Sequence, residues 1–335
     1  MSNFKIKLAI SMGDPNGIGP EVILKNLKIA TDVSCPVIFG HFITFKEVAS
    51  IIGTDISEIR LLDSSKDIDT ESTDIQFVNT TDYPYPIFEN SVQSSLSQFE
   101  SLKKAVDAIK DGQLEAIATA PVSKDMINRV HKGFSGHTEY LANRCGLKND
   151  DVTMVFATDK LIVGLITTHL PITELPQTIT TWRYERTTKH VIEIAAALNS
   201  VKRPKIAIAG FNPHAGEDGL LGKEEIDIII PFCKNFNKET AEISGPIPAD
   251  AVFRDAFNGK YHAVVSAYHD QALIALKLSG FGGAVNITQG LDFIRTSPDH
   301  GTAYDIARKN IADSLPMKNA IITAARLVNH KKQSV

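Results

Sequence analysis

The stretch Lys5-Ile-Lys-Leu-Ala-Ile-Ser-Met-Gly-Asp-Pro-Asn-Gly-Ile-Gly-Pro-Glu21 reads as a buried strand, a glycine-rich turn and the opening of a helix. Pro20 suits the first helical position, where an N–H would have no partner anyway, and Glu21 complements the positive end of the helix dipole. A strand feeding directly into a helix is the unit of an α/β fold. The turn from Gly13 to Gly19 either cradles an anion at a helix N-terminus or is structural only. It is not GxGxxG and no Gly-Lys-Ser/Thr follows, so the usual dinucleotide fingerprint and the P-loop are both absent.

Outward from this unit the same alternation repeats. Strands are expected at Pro36 to Gly40, Glu115 to Ala120, Lys205 to Ala209, Ala263 to Ala267 and Val285 to Thr288. Helices are expected at Phe42 to Ile52, Ser91 to Lys110, Thr187 to Asn199, Lys223 to Phe236, Asp270 to Leu278, Ala303 to Asn310 and Leu315 to Asn329. Val152 to Thr158 and Leu161 to Thr168 read as an antiparallel pair, and the polar stretch Asp63 to Asn90 as an exposed excursion. The pattern predicts a largely parallel sheet with helices on both faces. A chain of 335 residues suggests two domains, and no linker-like tract separates them.

The bulk properties narrow the function classes. A net charge of −4 gives no electrostatic reason to expect nucleic acid, and no apolar run approaches the length of a membrane helix. Cys35, Cys145 and Cys233 are odd in number and far apart, which fits reduced thiols in a cytoplasmic protein better than disulfides or a CxxC metal site.

Three expected strands are each followed within a few residues by one histidine: His169, His214 and His269. Ligands of open α/β sheets bind at the carboxyl ends of strands. One such histidine is most simply a hydrogen-bonded strand-end residue. Three at equivalent ends suit a zinc-like divalent ion with positions left open for substrate. Asp270 beside His269 is either an orienting partner or a helix cap.

Anion-binding candidates complete the picture. His137 and Thr138 open a helix in Gly136-His-Thr-Glu-Tyr140, with Thr138 alternatively a cap. Lys277 lies two turns beyond Asp270 and is either an exposed snorkelling lysine or an anion ligand and acid/base group. Asn286 sits on a strand. Arg295, amid apolar and small residues, is a candidate bidentate clamp or a structural ion-pair member. His300-Gly301-Thr302, ahead of the helix expected from Ala303, offers further backbone N–H groups.

At these residues the chain resembles the 4-hydroxythreonine-4-phosphate dehydrogenase family of pyridoxal phosphate biosynthesis. The likeness runs from Gly13–Glu21 to Asp299–Thr302, through Thr119–Lys124, Gly136–Tyr140, Asn212–Glu217, Gly245–Asp250, Tyr268–Ala275 and Val285–Thr288. It implies two α/β/α domains like those of isocitrate and isopropylmalate dehydrogenases, with the active site in the interdomain cleft. The terminal, cofactor-side domain would comprise residues 1–128 and 286–335, and a central metal and dimerisation domain residues 129–285. It implies a homodimer whose metal site takes ligands from both subunits, with His169, His214 and His269 holding zinc, magnesium or cobalt. His137, Thr138, Lys277, Asn286 and Arg295 would hold the substrate, with Lys277 as the candidate catalytic base. NAD or NADP would lie against Gly13, Asp14, Gly17, His300, Gly301 and Asp305.

The implied reaction is oxidation of 4-phosphohydroxy-L-threonine at C3, followed by decarboxylation to 3-amino-2-oxopropyl phosphate. The sequence departs from the family pattern at Gly283-Ala284 and from Gln289 to Asp292, beside the expected clamp. Similar sequences oxidise threonate or erythronate 4-phosphate, which stand as alternative substrates. A phosphotransacylase on a related fold and a non-catalytic phosphate-binding regulator are the rival classes.

Overall fold

The computed structural model describes residues 5–82, 84, 88–236, 239–279 and 282–333. The chain forms two compact units, Met1–Asn149 with Leu291–Val335, and Asp150–Gly290. The chain therefore leaves the first unit once and returns to it. Against the expected domain limits, residues 129–149 fall with the terminal segments and 286–290 with the central unit.

The terminal unit begins with strands β1 (Ile6–Ser11), β2 (Ser34–Gly40), β3 (Arg60–Leu62), β4 (Gln76–Asn79) and β5 (Ala116–Thr119). The central unit holds β6 (Thr153–Ala157), β7 (Ile162–Leu165), β8 (Lys205–Ala209), β9 (Glu242–Ile247), β10 (Ala263–Ser266) and β11 (Val285–Gln289). The chain then re-enters the terminal unit as β12 (Ile294–Pro298). In the terminal unit the order is β3-β4-β2-β1-β5-β12, and every pairing is parallel. In the central unit the order is β11-β6-β7-β10-β8-β9, with β11-β6 and β6-β7 antiparallel and the rest parallel.

Alternation along β1 explains the layering. Ile6, Leu8 and Ile10 face one side, where they pack with Val22, Ile23, Met317 and Ile321 from the helices Gly19–Leu24 and Leu315–Gln333. Ala9 faces the other side with Val37, Phe39 and Ile117, under Leu102, Ala105 and Val106 of the helix Val92–Lys110. Both faces are covered, as a parallel sheet requires. In the central unit Val163, Leu165, Ala207 and Val264 pack with Leu273 and Leu276 of the helix His269–Ser279 and with Val252 and Ala256.

Two sequence expectations are corrected here. Asp63 to Asn90 is not wholly an exposed excursion: Gln76, Phe77 and Val78 are buried in β4, whose short apolar core is hidden in a polar stretch. The helix expected at Ala303 to Asn310 is a run of turns, with Ala303, Arg308 and Asn310 left-handed (φ 43°, 65° and 58°). There the N–H groups of Arg308 and Ala312 donate to the buried Glu21 carboxylate at 3.1 and 3.0 Å rather than to carbonyls one turn back. No helix among the described residues is long and apolar enough to cross a membrane.

Candidate active site

Three adjacent parallel strands of the terminal unit, β1, β5 and β12, each end in a loop that the sequence marked. The loops are tied together. The N–H of Asp14 donates to the Pro121 carbonyl at 2.8 Å, and that of Ile18 to the Thr302 carbonyl at 2.9 Å. Gly13 is left-handed (φ 68°), and a Cβ there would lie 2.3 Å from the Pro121 oxygen. A Cβ on Gly17 would lie 2.7 Å from the Thr302 oxygen. The glycines are thus demanded by close backbone approach, and the Gly13, Gly17, His300 and Gly301 segments meet as one cluster.

Asp14 is fully buried and braces this cluster from within. It accepts the Tyr304 hydroxyl at 2.6 Å, Gln98 Nε2 at 3.3 Å and the Asn16 N–H at 2.9 Å. Burial raises its pKa against the pull of those bonds. Its oxygens are taken up by these neighbours, so what Asp14 does in the structure is shape the turn. Asp305 and Gly301 are exposed, whereas His300 is half-buried with an Nε2 that has no hydrogen-bond partner. Because no helix begins at Ala303, the expected helix-end anion site after His300 does not form.

The same unit gathers the expected anion clamp. Arg295, 3% exposed on β12, donates Nε and Nη2 to Thr119 Oγ1 at 3.2 and 2.9 Å. Burial pushes its pKa down to about 10, opposed by the charge of Glu139, so it stays protonated near neutrality. His137 begins the helix His137–Arg144 behind Gly136, which serves as N-cap. Burial, then the positive charges of Arg295 and Lys124, hold His137 well below the usual histidine range, so the ring is neutral near pH 7. Its Nε2 is buried without a hydrogen-bond partner. Thr138 follows it, half-buried.

Lys124, which was not singled out from the sequence, stands in the same cluster. Its Nζ would lie 3.3 Å from a Cβ on Gly136, at the same helix start. The available signal was its place directly after the β5 loop. Asp292 turns to another partner: its carboxylate accepts Cys145 Sγ at 3.0 Å.

In the central unit, β7, β10 and β8 are neighbours and parallel, so the loops bearing His169, His269 and His214 leave the same sheet edge. His169 and His269 lie side by side, with ring centroids 5.6 Å apart. His269 Nδ1 is 2.7 Å from Asp270 Oδ1, the carboxylate–imidazole pairing that orients metal-binding histidines. The third ring does not join them within one chain: among the described residues no three His, Cys, Asp or Glu side chains are grouped to hold a metal ion. Within one chain two of the three imidazoles are gathered and one stands apart, and the expected set was one with ligands from both subunits.

His214 lies exposed in a left-handed turn in which His214, Ala215, Gly216, Glu217 and Asp218 have φ of 52°, 53°, 81°, 46° and 54°. Left-handed backbone costs a non-glycine residue roughly 1–2 kcal/mol, so this turn must be held by its surroundings.

Asn286 on β11 has a buried Oδ1 with no hydrogen-bond partner, and Lys277 projects exposed from the helix His269–Ser279. A buried polar atom left unpaired costs about 1–3 kcal/mol. Such atoms at His137, Asn286 and His300 mark places where a polar ligand would relieve the cost.

Comparison with known proteins places the chain. The profile of the pyridoxal phosphate biosynthetic protein PdxA matches residues 32–324. The 4-hydroxythreonine-4-phosphate dehydrogenase of Pseudoalteromonas translucida is 37% identical over 98% of this chain and 99% of its own. The D-threonate 4-phosphate dehydrogenase of Pectobacterium atrosepticum is also 37% identical, over 96% of this chain and 98% of its own. The crystal structure of the Klebsiella pneumoniae 4-hydroxythreonine-4-phosphate dehydrogenase superposes with a TM-score of 0.81 at 36% identity, covering 98% of this chain and 99% of that one. With the profile spanning most of its length, this chain belongs to the family of the pyridoxal phosphate biosynthetic protein PdxA.

Proposed function

We propose that the protein is a metal-dependent NAD(P) dehydrogenase that oxidises the C3 hydroxyl of 4-phosphohydroxy-L-threonine, with decarboxylation to 3-amino-2-oxopropyl phosphate. The observation that carries this reading is the buried, unpartnered Nε2 of the neutral His137, set at a helix start beside the buried cation of Arg295. Such a pair fits a substrate with an anionic group and hydrogen-bonding oxygens.

Arg295, Lys124, His137 and Thr138 secure the anionic end. The neutral His137 can donate without adding another buried charge to that of Arg295. Asn286 and Lys277 orient the reacting end, and Lys277 takes the hydroxyl proton. Holding both ends fixes the C3 hydrogen for transfer, which is where positioning contributes most. The loops at Gly13, Gly17, His300, Gly301 and Asp305 would hold the cofactor, which would supply the hydride-accepting chemistry.

His169, His269 and His214 are the metal ligands, and the protein works as a homodimer in which the set is completed across the subunit interface. The side-by-side pair of His169 and His269, one ring braced by Asp270, fits a divalent ion such as zinc, magnesium or cobalt. Bound there, the ion supplies Lewis-acid stabilisation of negative charge on the reacting oxygen. Free thiols at Cys35, Cys145 and Cys233 fit a cytoplasmic setting.

A panel tests the substrate. Purified protein with Co2+ is mixed with NAD or NADP and with 4-phosphohydroxy-L-threonine, D-threonate 4-phosphate or erythronate 4-phosphate, and reduced cofactor is followed by absorbance. The expected outcome is fastest turnover of the amino-acid phosphate. Faster turnover of threonate 4-phosphate would move the assignment to the other activity named among the relatives. Absence of reduced cofactor with every substrate would refute the proposal.

A further inference from the structure

The turn that carries His214 is held by one buried carboxylate. Glu225 is 1% exposed and starts a π-helical turn, Glu225–Ile229, the kind of irregularity that recurs at functional sites. Its Oε1 accepts the N–H groups of Phe211 and Asn212 at 2.8 and 2.7 Å, and its Oε2 accepts Asn212 Nδ2 at 2.8 Å. Asn212 Nδ2 also donates to Glu224 Oε2 at 2.7 Å. A Cβ on Gly216 would lie 2.8 Å from Glu225 Oε2, so the turn closes directly over the carboxylate.

A second tie joins this turn to the His269 segment. Gln271 Nε2 donates to the Gly210 carbonyl at 2.8 Å, while its Oε1 accepts the Ala267 N–H at 2.9 Å and Ser266 Oγ at 2.7 Å. The start of the His214 turn is thereby fixed to the end of β10 and the residue after it, Ser266 and Ala267, two to three residues before His269.

We infer that Glu225 is a positioning residue for His214: it holds the left-handed turn in the geometry that presents the imidazole. This rests on the reading of His214 as a metal ligand. The charge of Glu225 matters because a carboxylate accepting several N–H groups makes charge-assisted bonds about twice as strong as neutral ones. No metal contact by Glu225 itself is required.

Co2+ titration of the otherwise metal-free protein, followed by visible absorbance, is the test, with KM for NAD and thermal unfolding measured alongside. Glu225→Ala is expected to weaken Co2+ binding by about 10–100-fold, the range for groups that orient metal ligands. Glu225→Gln keeps an oxygen for the two backbone N–H groups but loses the charge and turns an amide nitrogen toward Asn212 Nδ2, so it is expected to recover only part of that loss. KM for NAD should stay within about twofold, since the proposed cofactor loops belong to the other unit. A merely structural role would lower thermal stability and leave Co2+ affinity unchanged, which would overturn the inference.

Should Glu225→Ala not fold, Glu225→Asp decides: it keeps the charge but is a methylene too short to reach both N–H groups, and unchanged Co2+ affinity would likewise overturn the inference. His214→Ala separates the two levels. Loss of Co2+ binding in His214→Ala with none in the Glu225 variants sinks positioning alone. Wild-type Co2+ binding in His214→Ala sinks the ligand reading, and the positioning inference with it.

Discussion

Arg295→Met distinguishes a substrate clamp from a structural cation. In the free protein the guanidinium is buried, and the fall of its pKa from 12.5 to about 10 corresponds to roughly 3 kcal/mol of desolvation borne by the folded state. Methionine of similar length removes that cost. It also removes the hydrogen bonds to Thr119 Oγ1, worth about 1 kcal/mol each. The two effects oppose, so stability should change by no more than about 2 kcal/mol, consistent with the near-neutral outcome when buried charges are replaced by apolar groups.

Substrate binding has no such compensation. Two charge-assisted bonds to an anionic oxygen are worth about 1.5–3 kcal/mol each, so kcat/KM should fall by roughly two to four orders of magnitude. Because Arg295 also depresses His137, the His137 titration followed by NMR should move up toward the ordinary histidine range in the variant. Urea denaturation gives the stability and steady-state kinetics the catalytic loss. A stability loss above about 3 kcal/mol with kcat/KM within threefold of wild type would show that the side chain is structural, because breaking one partner of a buried ion pair has that signature.

Two further outcomes follow from particular contacts. Gly17→Ala places a methyl 2.7 Å from the Thr302 oxygen, so the two loops must separate; KM for NAD should rise about tenfold with stability falling about 1–3 kcal/mol, and unchanged values in both would remove the loop contact from the cofactor site. His190 donates to or accepts from Thr153 Oγ1 at 2.8 Å, and burial, aided by the charge of Arg186, holds its pKa down to about 4. Its folded pKa lies below the usual 6.5, so the native state disfavours protonation. The stabilisation is complete above pH 6.5 and is lost as pH falls toward 4, by up to about 1.4 kcal/mol per pH unit. His190→Gln should flatten the stability curve over that window, and wild-type and variant curves that run parallel there would contradict the assignment.

Short-range signals were sufficient for most of the elements. β8 and the helix Phe42–Ile52 fall at the expected residues because apolar spacing and flanking turn residues are local properties. β4 was hidden because its few buried residues sit in a polar stretch, and their burial depends on β2 and β3 on either side. The turns at Ala303 to Asn310 were misread as a helix because the competing acceptor, Glu21, is nearly three hundred residues away in the chain. The cluster around Arg295 was partly legible: Arg295 and His137 were named from their settings, whereas Lys124 went unnamed because its nearness to Gly136 and His137 is not a local property of the sequence.

The sequence by itself determined the α/β alternation, the glycines that allow close backbone approach, and three histidines each placed just after a strand. These follow from propensity, periodicity and chain order, all of which act over a few residues. Only tertiary structure decided that β10 lies between β7 and β8, so that the three histidine loops share an edge, and that only His169 and His269 are adjacent within one chain. It also decided that Glu225 and Gln271 hold the His214 turn. Strand order and the capture of buried hydrogen-bonding groups are settled by contacts between distant segments, which no local pattern encodes.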